Sequence, residues 1–262
     1  MDTIVCIKQV PATSEIDWDP KTGTLMRERA EGVLNLNDKN ALEAALQLRE
    51  KHGGHSTALS MGPSQAEEAL REALSMGIDR AVLLSDKAFA GADTLSTAYT
   101  LSLAAKKIGS YDLILCGKES WDGMTAQVGP QVAEFLNLPQ LTCATEIIIE
   151  DTSVRIKQKI EDGFRIVEAS LPAVITVERE INQPRIPTMD SIMEAYRSKE
   201  VLAWRADDLG GDPGLLGLKG SPTQAKRVYI KQIKKGKVTM LDGEPDEVAG
   251  KLIQTLRLKG LL

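Results

Sequence analysis

The sequence predicts an α/β fold with a doubly wound, mainly parallel sheet. Short apolar runs alternate with helix-periodic segments from Met1 to about Glu180. Most of these runs lack polar alternation, as expected for strands that are covered on both faces. With 262 residues, the chain can also bury a substantial core. The βαβα order implies right-handed crossovers and helices on both sides of the sheet.

The strand and helix patterns can be placed in chain order. The expected strands of the sheet are Ile4–Ile7, Thr57–Ser60, Ala81–Leu84, Leu113–Cys116 and Ala173–Val177. The expected helices between them are Asn40–Arg49, Gln65–Ser75, Thr94–Ile108 and Thr125–Leu136. Three further runs, Glu146–Glu150, Val154–Ile160 and Phe164–Ala169, predict an antiparallel excursion before the last strand. Asn35 and Asp38 precede the first helix as capping residues, and Pro63 precedes the second.

The character of the chain changes beyond Asn182, where proline and glycine interrupt every long element except one helix opened by Pro245. The many leucines of this stretch form no pattern sufficient for a core of their own. We therefore expect two parts: residues 1–185 as a nucleotide-binding domain and residues 186–262 as an arm that packs on a partner subunit. The alternative is that the arm folds back on its own domain.

Composition and charge exclude several classes of protein. The formal net charge of −5 argues against a nucleic-acid binder. The basic cluster of Lys231, Lys234, Lys235 and Lys237 is either a solvated hairpin or a docking surface for an acidic partner. No apolar run reaches the ~18 residues of a membrane span, and a strand pattern begins too early for a signal peptide.

The cysteines suggest a reducing environment. They are odd in number and widely spaced, at Cys6, Cys116 and Cys143, with no Cys-x-x-Cys. We expect Cys6 and Cys116 to behave as small core residues. The predicted location is therefore the cytoplasm, and thiol redox chemistry and cluster ligation are not expected.

Four loops are predicted to meet where the parallel strands end, which is where open α/β sheets bind ligands. They are Cys6–Gln9, Ser60–Pro63, Ser85–Thr97 and Gly117–Gly129. The last loop runs from a buried strand through glycines into a helix, so unpaired N–H groups and the helix dipole would favour a phosphate there. Asp93 could be a plain N-cap, but four converging loops favour a bound nucleotide.

Motifs for catalysis or metal binding are missing. No Gly-x-Gly-x-x-Gly follows the first strand, and no P-loop lysine motif is present. His52 and His55 fit a solvated helix-ending turn better than a metal site, and we expect neither a metal nor a catalytic side chain. Asp122 could cap a helix, orient a ribose hydroxyl or coordinate an ion. Any redox chemistry would therefore belong to a bound cofactor.

Several motifs, taken in this order and spacing, resemble the β subunit of electron transfer flavoproteins over nearly the whole chain. The matching segments are Val5-Cys-Ile-Lys-Gln-Val-Pro11, Asn35-x-x-Asp38 followed by Ala41-Leu-Glu-Ala-Ala45, Gly62-Pro63, Ala73-Leu-Ser-Met-Gly-Ile-Asp-Arg80, Asp93-Thr94, the Gly117–Gly129 loop, Glu178-Arg-Glu-Ile-Asn-Gln-Pro-Arg185 and Ser221-Pro-Thr-Gln-Ala-Lys-Arg227. The resemblance implies a Rossmann-like, adenine-nucleotide-binding fold and a heterodimer with an α subunit that carries its own FAD.

The resemblance also implies a cofactor in this chain. Ordinary members of the family hold AMP at these loops, whereas electron-bifurcating members hold a second FAD that accepts hydride from NADH. The Asp122–Gly129 segment and the Asp93-Thr94 pair resemble the second type. The implied cofactor-binding residues are Cys6, Lys8, Asn35, Asp38, Met61, Gly62, Asp93, Thr94, Thr97, Gly117, Ser120, Asp122, Gly123, Thr125, Ala126, Gln127, Val128 and Gly129. Among them, the adenosine is expected near Cys6, Asn35 and Met61.

The segment Ile186-Pro-Thr-Met-Asp-Ser-Ile-Met193 resembles the loop with which this family docks on a dehydrogenase. Met189 stands where the family has an anchoring leucine, with Ile192 and Met193 beside it; core packing is the alternative role. The expected function is a bifurcating β subunit with ferredoxin and an acyl-CoA dehydrogenase-like protein as partners. An AMP-holding electron carrier and a nucleotide-sensing module without a redox role are the alternatives.

Overall fold

The computed structural model describes residues 1–12, 32–224 and 238–262. They belong to two compact units, Met1–Ala225 and Lys226–Leu262. The strands are β1 Thr3–Ile7, β2 Gln9–Pro11, β3 Gly32–Leu34, β4 Ser56–Met61, β5 Arg80–Leu84, β6 Leu113–Gly117, β7 Gln140–Glu150, β8 Ser153–Ile160, β9 Gly163–Ser170, β10 Ala173–Val177 and β11 Val201–Trp204. The helices are α1 Leu36–His52, α2 Glu67–Met76, α3 Thr94–Ile108, α4 Val128–Leu136, α5 Met189–Arg197, α6 Ala206–Leu209 and α7 Pro245–Leu258.

The first unit is built on one large sheet with the strand order β11-β5-β4-β1-β6-β10-β7-β8-β9. The pairs from β11 to β7 are parallel, and β8 and β9 add an antiparallel extension. The chain runs outward from β1 through β4 to β5 and then returns to β6 on the other side of β1. This reversal confirms the doubly wound fold class, and it places a topological switch point between β1 and β6.

Two hydrophobic cores cover the two faces of the sheet. Alternate residues of each strand point to opposite faces, so Val5 packs with α1 and α2 while Ile4 packs with α3 and α4. The same division holds along β6, where Leu115 joins the first core and Ile114 the second. Burial on both faces explains why these strands have apolar sequences without polar alternation.

The predicted starts of two helices and the predicted caps need correction. α1 begins at Leu36, so Asp38 lies inside its first turn, and Asn35 holds the N-cap position without a side-chain capping bond. α4 begins at Val128 and not at Thr125, because the preceding loop takes positive φ at Met124 (46°) and Ala126 (53°), which interrupts a right-handed helix.

Residues 186–224 fold onto the first unit. β11 pairs in parallel with β5, and α5 packs on α2 through the buried Ala195. The boundary between the compact units lies between Ala225 and Lys226, later in the chain than the expected boundary at residue 185. Residues 186–224 therefore fold back on their own domain, which was the alternative to an arm that packs on a partner subunit. The Lys231–Lys237 cluster lies outside the described residues.

The second unit contributes helix α7, which begins at Pro245 as expected. Its first turn carries Asp246 and Glu247, which complement the helix dipole. None of its residues is buried, and Leu252 and Leu258 are exposed. In the part of the chain that the structure describes, no helix is both long enough and apolar enough to cross a bilayer.

Candidate functional site

A cleft of about 1160 Å³ opens at the carboxyl ends of β1, β4, β5 and β6. It lies beside the switch point of the sheet, where the loops that follow neighbouring strands separate to opposite faces. Residues from all four predicted loops line it, including Cys6, Met61, Thr94 and Gln127. The structure therefore brings together segments that are more than a hundred residues apart in the chain.

Most of the predicted cofactor-binding residues line this cleft. They are Cys6, Lys8, Asp38, Met61, Gly62, Asp93, Thr94, Thr97, Gly117, Ser120, Gly123, Thr125, Ala126, Gln127, Val128 and Gly129. Asn35 and Asp122 do not line it. Asn35 instead borders a neighbouring hollow of about 300 Å³ together with Trp121 and Met124.

Asp38 joins the ends of two strands at the floor of the cleft. Its carboxyl group accepts hydrogen bonds from the main-chain N–H groups of Lys8 (2.8 Å) and Gly117 (3.2 Å). Burial raises the pKa of Asp38 to about 7, although these hydrogen bonds act in the opposite direction. A Cβ atom on Gly117 would collide with the Asp38 carboxyl group and with the backbone of Asn37. Asp38 is therefore a strand-joining residue and not a helix cap.

Asn35 and Asp122 make hydrogen bonds that hold the loop after β6 in place. The Asn35 side chain donates to the carbonyl of Glu119 (3.0 Å) and accepts from the N–H of Trp121 (3.1 Å). Asp122 accepts from the ammonium group of Lys8 at 2.6 Å. Both side chains are engaged in these contacts, which hold the loop and Lys8. Asn35 lies outside the cleft lining, and its expected contact with an adenosine stays a prediction.

The first turn of α4 presents free backbone donors to the cleft. Among the described residues, nothing accepts a hydrogen bond from the N–H groups of Thr125, Ala126, Gln127, Val128 or Gly129. Gly129 is buried against Thr176, so the helix start lies close to β10. Unpaired N–H groups at the positive end of a helix dipole form a suitable binding site for a phosphate.

The first turn of α3 lies beside the start of α4 and is already capped. Asp93 accepts hydrogen bonds from the N–H groups of Leu95 (3.0 Å) and Ser96 (3.1 Å). Its second oxygen accepts from the N–H and hydroxyl groups of Thr223. Burial raises the pKa of Asp93, but the bonds from Thr223, Ser96 and Leu95 outweigh it and lower the pKa overall. Asp93 thus acts as the N-cap that was the alternative to a direct ligand contact.

Neutral hydroxyl and amide groups connect the two helix starts. The Thr94 hydroxyl donates to the Gln127 side-chain oxygen at 3.0 Å. The bodies of the helices also touch, because the rings of Tyr99 and Phe135 meet edge to face with centroids 5.4 Å apart. α3 and α4 therefore contact each other both at their starts and along their bodies, and together they form one wall of the cleft.

Cys6 and Cys116 lie side by side in the floor of the cleft. They are register partners on the adjacent parallel strands β1 and β6, and both line the cavity. The hydrogen bond between the two thiols, and then burial, raise the pKa of Cys116 well above its usual range. Both are buried as expected, but their proximity was not visible in a sequence that separates them by more than a hundred residues.

Several residues of the cleft carried no sequence signal. Phe89 and Leu101 supply apolar wall, and Arg205, which follows β11, brings a positive charge to the rim. β11 was not predicted at all, because a four-residue run between charged residues is too short to show a clear period. No group of three or more potential metal ligands occurs among residues 1–12, 32–224 and 238–262.

The predicted docking residues lie on and before α5, in a helix and not in a loop. Thr188 caps this helix by accepting from the N–H of Ser191. Ile186 is 91% exposed, Met189 72% and Met193 42%, and Ile192 is partly buried. The exposure of Met189 excludes its alternative role in core packing.

Comparison with known proteins identifies the family. Residues 22–209 match the electron transfer flavoprotein domain. The chain is 44% identical to an electron transfer flavoprotein subunit β of Clostridium acetobutylicum over 257 residues, or 98% of each chain. It is 51% identical to the subunit β of Thermoanaerobacterium thermosaccharolyticum over 224 residues, or 86% of each chain. It is also 43% identical to subunit CarD of the caffeyl-CoA reductase-Etf complex of Acetobacterium woodii over 263 residues and the full length of both. On this evidence the chain belongs to the electron transfer flavoprotein family and is similar to its β subunits.

Proposed function

We propose that this chain is the β subunit of a bifurcating electron transfer flavoprotein and that its cleft holds FAD. When bound, FAD supplies the redox chemistry, which is acceptance of hydride from NADH and transfer of single electrons to ferredoxin and, through the FAD of an α subunit, to an acyl-CoA dehydrogenase-like partner. In this proposal the chain's own residues bind, orient and shield the cofactor, and none is assigned the role of catalytic acid or base.

The open first turn of α4 is the observation that carries the proposal. The N–H groups of Val128 and Gly129 would bind a phosphate of the cofactor, with the hydroxyl groups of Thr97 and Thr125 as further donors. Asp93 and Asp122, which would repel a phosphate, are occupied by other partners. The donors that remain at the start of α4 are backbone N–H and hydroxyl groups, and Arg205 at the rim adds a positive charge; groups of these kinds suit a pyrophosphate.

The size of the cleft favours FAD over AMP. Its volume of about 1160 Å³ exceeds the ~300–1,000 Å³ of most small-molecule pockets. One relative, CarD, carries the name of an electron transfer flavoprotein complex with caffeyl-CoA reductase, which suggests a CoA-thioester dehydrogenase type of partner for this chain as well.

The adenosine end would lie near Cys6 and Met61, which are small or flexible apolar neighbours.

The partner contacts form the second part of the proposal. The α subunit would be held by residues of the Lys226–Leu262 unit, whose helix α7 exposes Leu252, Ile253 and Leu258. The dehydrogenase-like partner would dock on the exposed apolar side chains of Ile186, Met189 and Met193.

Extraction of nucleotides from the heterodimer tests the function. The chain is co-expressed with its α subunit, the complex is purified, and the nucleotides are released by denaturation and counted by chromatography. Two FAD per heterodimer is the expected result. One FAD plus one AMP would replace FAD by AMP in this cleft and remove bifurcation, and a colourless monomer would favour a nucleotide-sensing module instead.

A further inference from the structure

The docking segment, defined here as residues 186–193, presents apolar side chains to solvent. Ile186 and Met189 are among the most exposed large apolar residues of the first unit. A short segment with such side chains would collapse onto the protein surface unless its backbone were held in place. The contacts at the two ends of the segment are therefore informative.

The N-terminal end is fixed by a buried carboxylate on α1. Glu43 is only 4% exposed. It accepts hydrogen bonds from the Arg185 guanidinium at both oxygens, Nε at 2.8 Å and Nη2 at 3.0 Å, and also from the Arg185 main-chain N–H at 3.1 Å. This forked arrangement fixes the position and the direction of the chain immediately before Ile186. The carboxylates of Glu43 and Glu50 raise the pKa of Arg185, which stays charged throughout.

A second contact from α1 holds the chain just before the docking segment. The Asn40 side chain, which is also buried, donates to the carbonyls of Arg179 (3.1 Å) and Asn182 (2.9 Å). The Asn182 side chain donates in return to the carbonyl of Asn40 at 3.0 Å. One face of α1 thus holds the chain that follows β10 at two places, through Asn40 and through Glu43.

The C-terminal end is fixed by an arginine on α2. Arg71 donates from Nη1 to the carbonyls of Ala195 and Lys199, each at 2.6 Å. These carbonyls lie at the end of α5, where helices leave their last carbonyls without internal partners. Between the two arginine contacts, Pro187 restricts the backbone further because its φ angle is fixed.

We infer that Glu43, acting through Arg185, is a positioning residue that holds the docking segment in the conformation its partner binds. This inference rests on the proposed docking of Ile186, Met189 and Met193 to a dehydrogenase-like partner. Its physical basis is preorganisation: a segment that is already ordered loses less conformational entropy when it binds, so its affinity is higher. Glu43 itself is buried on α1 and offers almost no surface for direct contact with a partner.

Hydrogen exchange of the docking segment tests the inference without any partner. In the αβ heterodimer, Glu43→Gln keeps the shape of the side chain but weakens the fork. We expect amide exchange in residues 186–193 to become about tenfold faster or more, with exchange in β1 and β6 unchanged. Glu50→Gln is the matched control, because it removes only the exposed carboxylate that contacts Arg185 Nη1. If Glu43→Gln does not fold, Arg185→Lys provides the same test.

Electron transfer kinetics separate positioning from a general loss of structure. The electron acceptor is the purified acyl-CoA dehydrogenase for which the wild-type heterodimer has the lowest KM, and a small redox dye serves as an acceptor that needs no docking. We expect Glu43→Gln to raise the KM for the dehydrogenase about tenfold, with little change in kcat or in dye reduction.

The outcomes distinguish this inference from the proposed function. Met189→Asp should raise the same KM strongly; if it does not, the docking assignment itself is wrong, whatever the exchange result. If Met189→Asp impairs docking but Glu43→Gln changes neither the exchange of residues 186–193 nor the KM, the positioning role of Glu43 is overturned.

Discussion

The starts of α3 and α4 lie side by side at one cleft, yet their first turns are used in opposite ways. At α3, the Asp93 carboxylate occupies the free N–H groups, and its other oxygen is tied to Thr223. At α4, the N-cap residue is the neutral Gln127, which makes no capping bond, and the N–H groups that follow stay open. Two helices with the same polarity therefore differ in their capacity to bind an anion.

The difference shows that a helix start can either be stabilised by a cap or be left open to bind an anion. A capping carboxylate stabilises its helix but neutralises the positive end of the dipole. An uncapped start costs stability, and the loop before α4 adds strain through the positive φ angles of Met124 and Ala126. In the proposed function, hydrogen bonds from the open N–H groups to the cofactor phosphate offset this loss of stability at α4. The capped start of α3 forms a rigid wall beside it.

The largest expected effect concerns Asp38, which anchors the loop that leads to the open helix start. Its folded pKa of about 7, against 3.8 for a free side chain, means that the folded protein holds this proton more tightly than the unfolded chain. The contribution to the unfolding free energy is complete below pH 3.8 and is lost as the pH rises through about 7, by roughly 4 kcal/mol. Urea denaturation of wild type and Asp38→Asn across this pH range measures it.

The comparison of carboxylates makes this prediction sharper. Because the pKa of Asp93 is lowered, its contribution to stability is present above the unfolded pKa of 3.8 and is lost as the pH falls through its lower folded pKa. Asp93→Asn should therefore be less stable than wild type above about pH 4, and this difference should shrink as the pH falls below that value. Parallel curves for wild type and Asp38→Asn between pH 4 and pH 7 would contradict the role assigned to burial.

Gly129 tests whether the open start depends on its close packing. A Cβ atom at this position would lie 2.5 Å from Thr176 Cγ2, so Gly129→Ala should displace the helix start and lower the unfolding free energy by about 1–3 kcal/mol. Nucleotide retained by the purified heterodimer should fall in parallel. Gly123→Ala is the control, since its nearest neighbour is the partly buried Ser120 hydroxyl at 3.2 Å. Equal losses in the two variants would argue against a special role for Gly129.

Removal of the α3 cap should act mainly on stability. Asp93→Ala leaves the N–H groups of Leu95 and Ser96 without partners and breaks the contacts with Thr223. We expect a loss of about 1–2 kcal/mol in thermal or chemical unfolding. Thr223→Ala, which keeps the cap, should cost less. A variant Asp93→Ala that loses its nucleotide without losing stability would show that Asp93 contacts the ligand.

Gln127→Glu should change the structure least of the proposed variants, and it should act selectively on FAD binding. The new carboxylate can still accept the hydrogen bond from Thr94. It would place a negative charge at the open helix start, so we expect about tenfold weaker FAD binding, or about 1.4 kcal/mol, with stability unchanged or slightly increased. Titration of the nucleotide-depleted heterodimer measures this. Gln127→Met serves as the neutral comparison, and an equal loss of affinity there would refute the electrostatic explanation.

The sequence predicted β1, β4, β5, β6, β10 and α3 within a residue or two, because their patterns are local. Burial on both faces requires apolar runs in β1, β4, β5 and β6, and the period of a buried helix is visible within a dozen residues. The order of strands and helices then implied that four loops meet at one rim. The convergence of the four loops followed from topology, whereas the individual cofactor-binding residues came from the family resemblance.

The starts of helices were less predictable, since they depend on contacts outside the segment. Asp38 has a residue type and sequence position that suit a helix cap. Its carboxyl group instead accepts hydrogen bonds from main-chain N–H groups at the ends of β1 and β6. Thr125 continues a helical pattern, yet the loop before Val128 adopts positive φ angles that close the cleft wall. Local preference was overruled by tertiary contacts in both cases.

The sequence by itself determined the class of fold, the rim at which a ligand would bind and the family to which the chain belongs. Only the tertiary structure decided which distant residues meet: Cys6 with Cys116, Glu43 with Arg185, and β11 with β5. The physical reason is that periodicity records which side of an element is buried but not what covers it. Partners far apart in the chain are chosen by packing and strand register, and neither leaves a local pattern in the sequence.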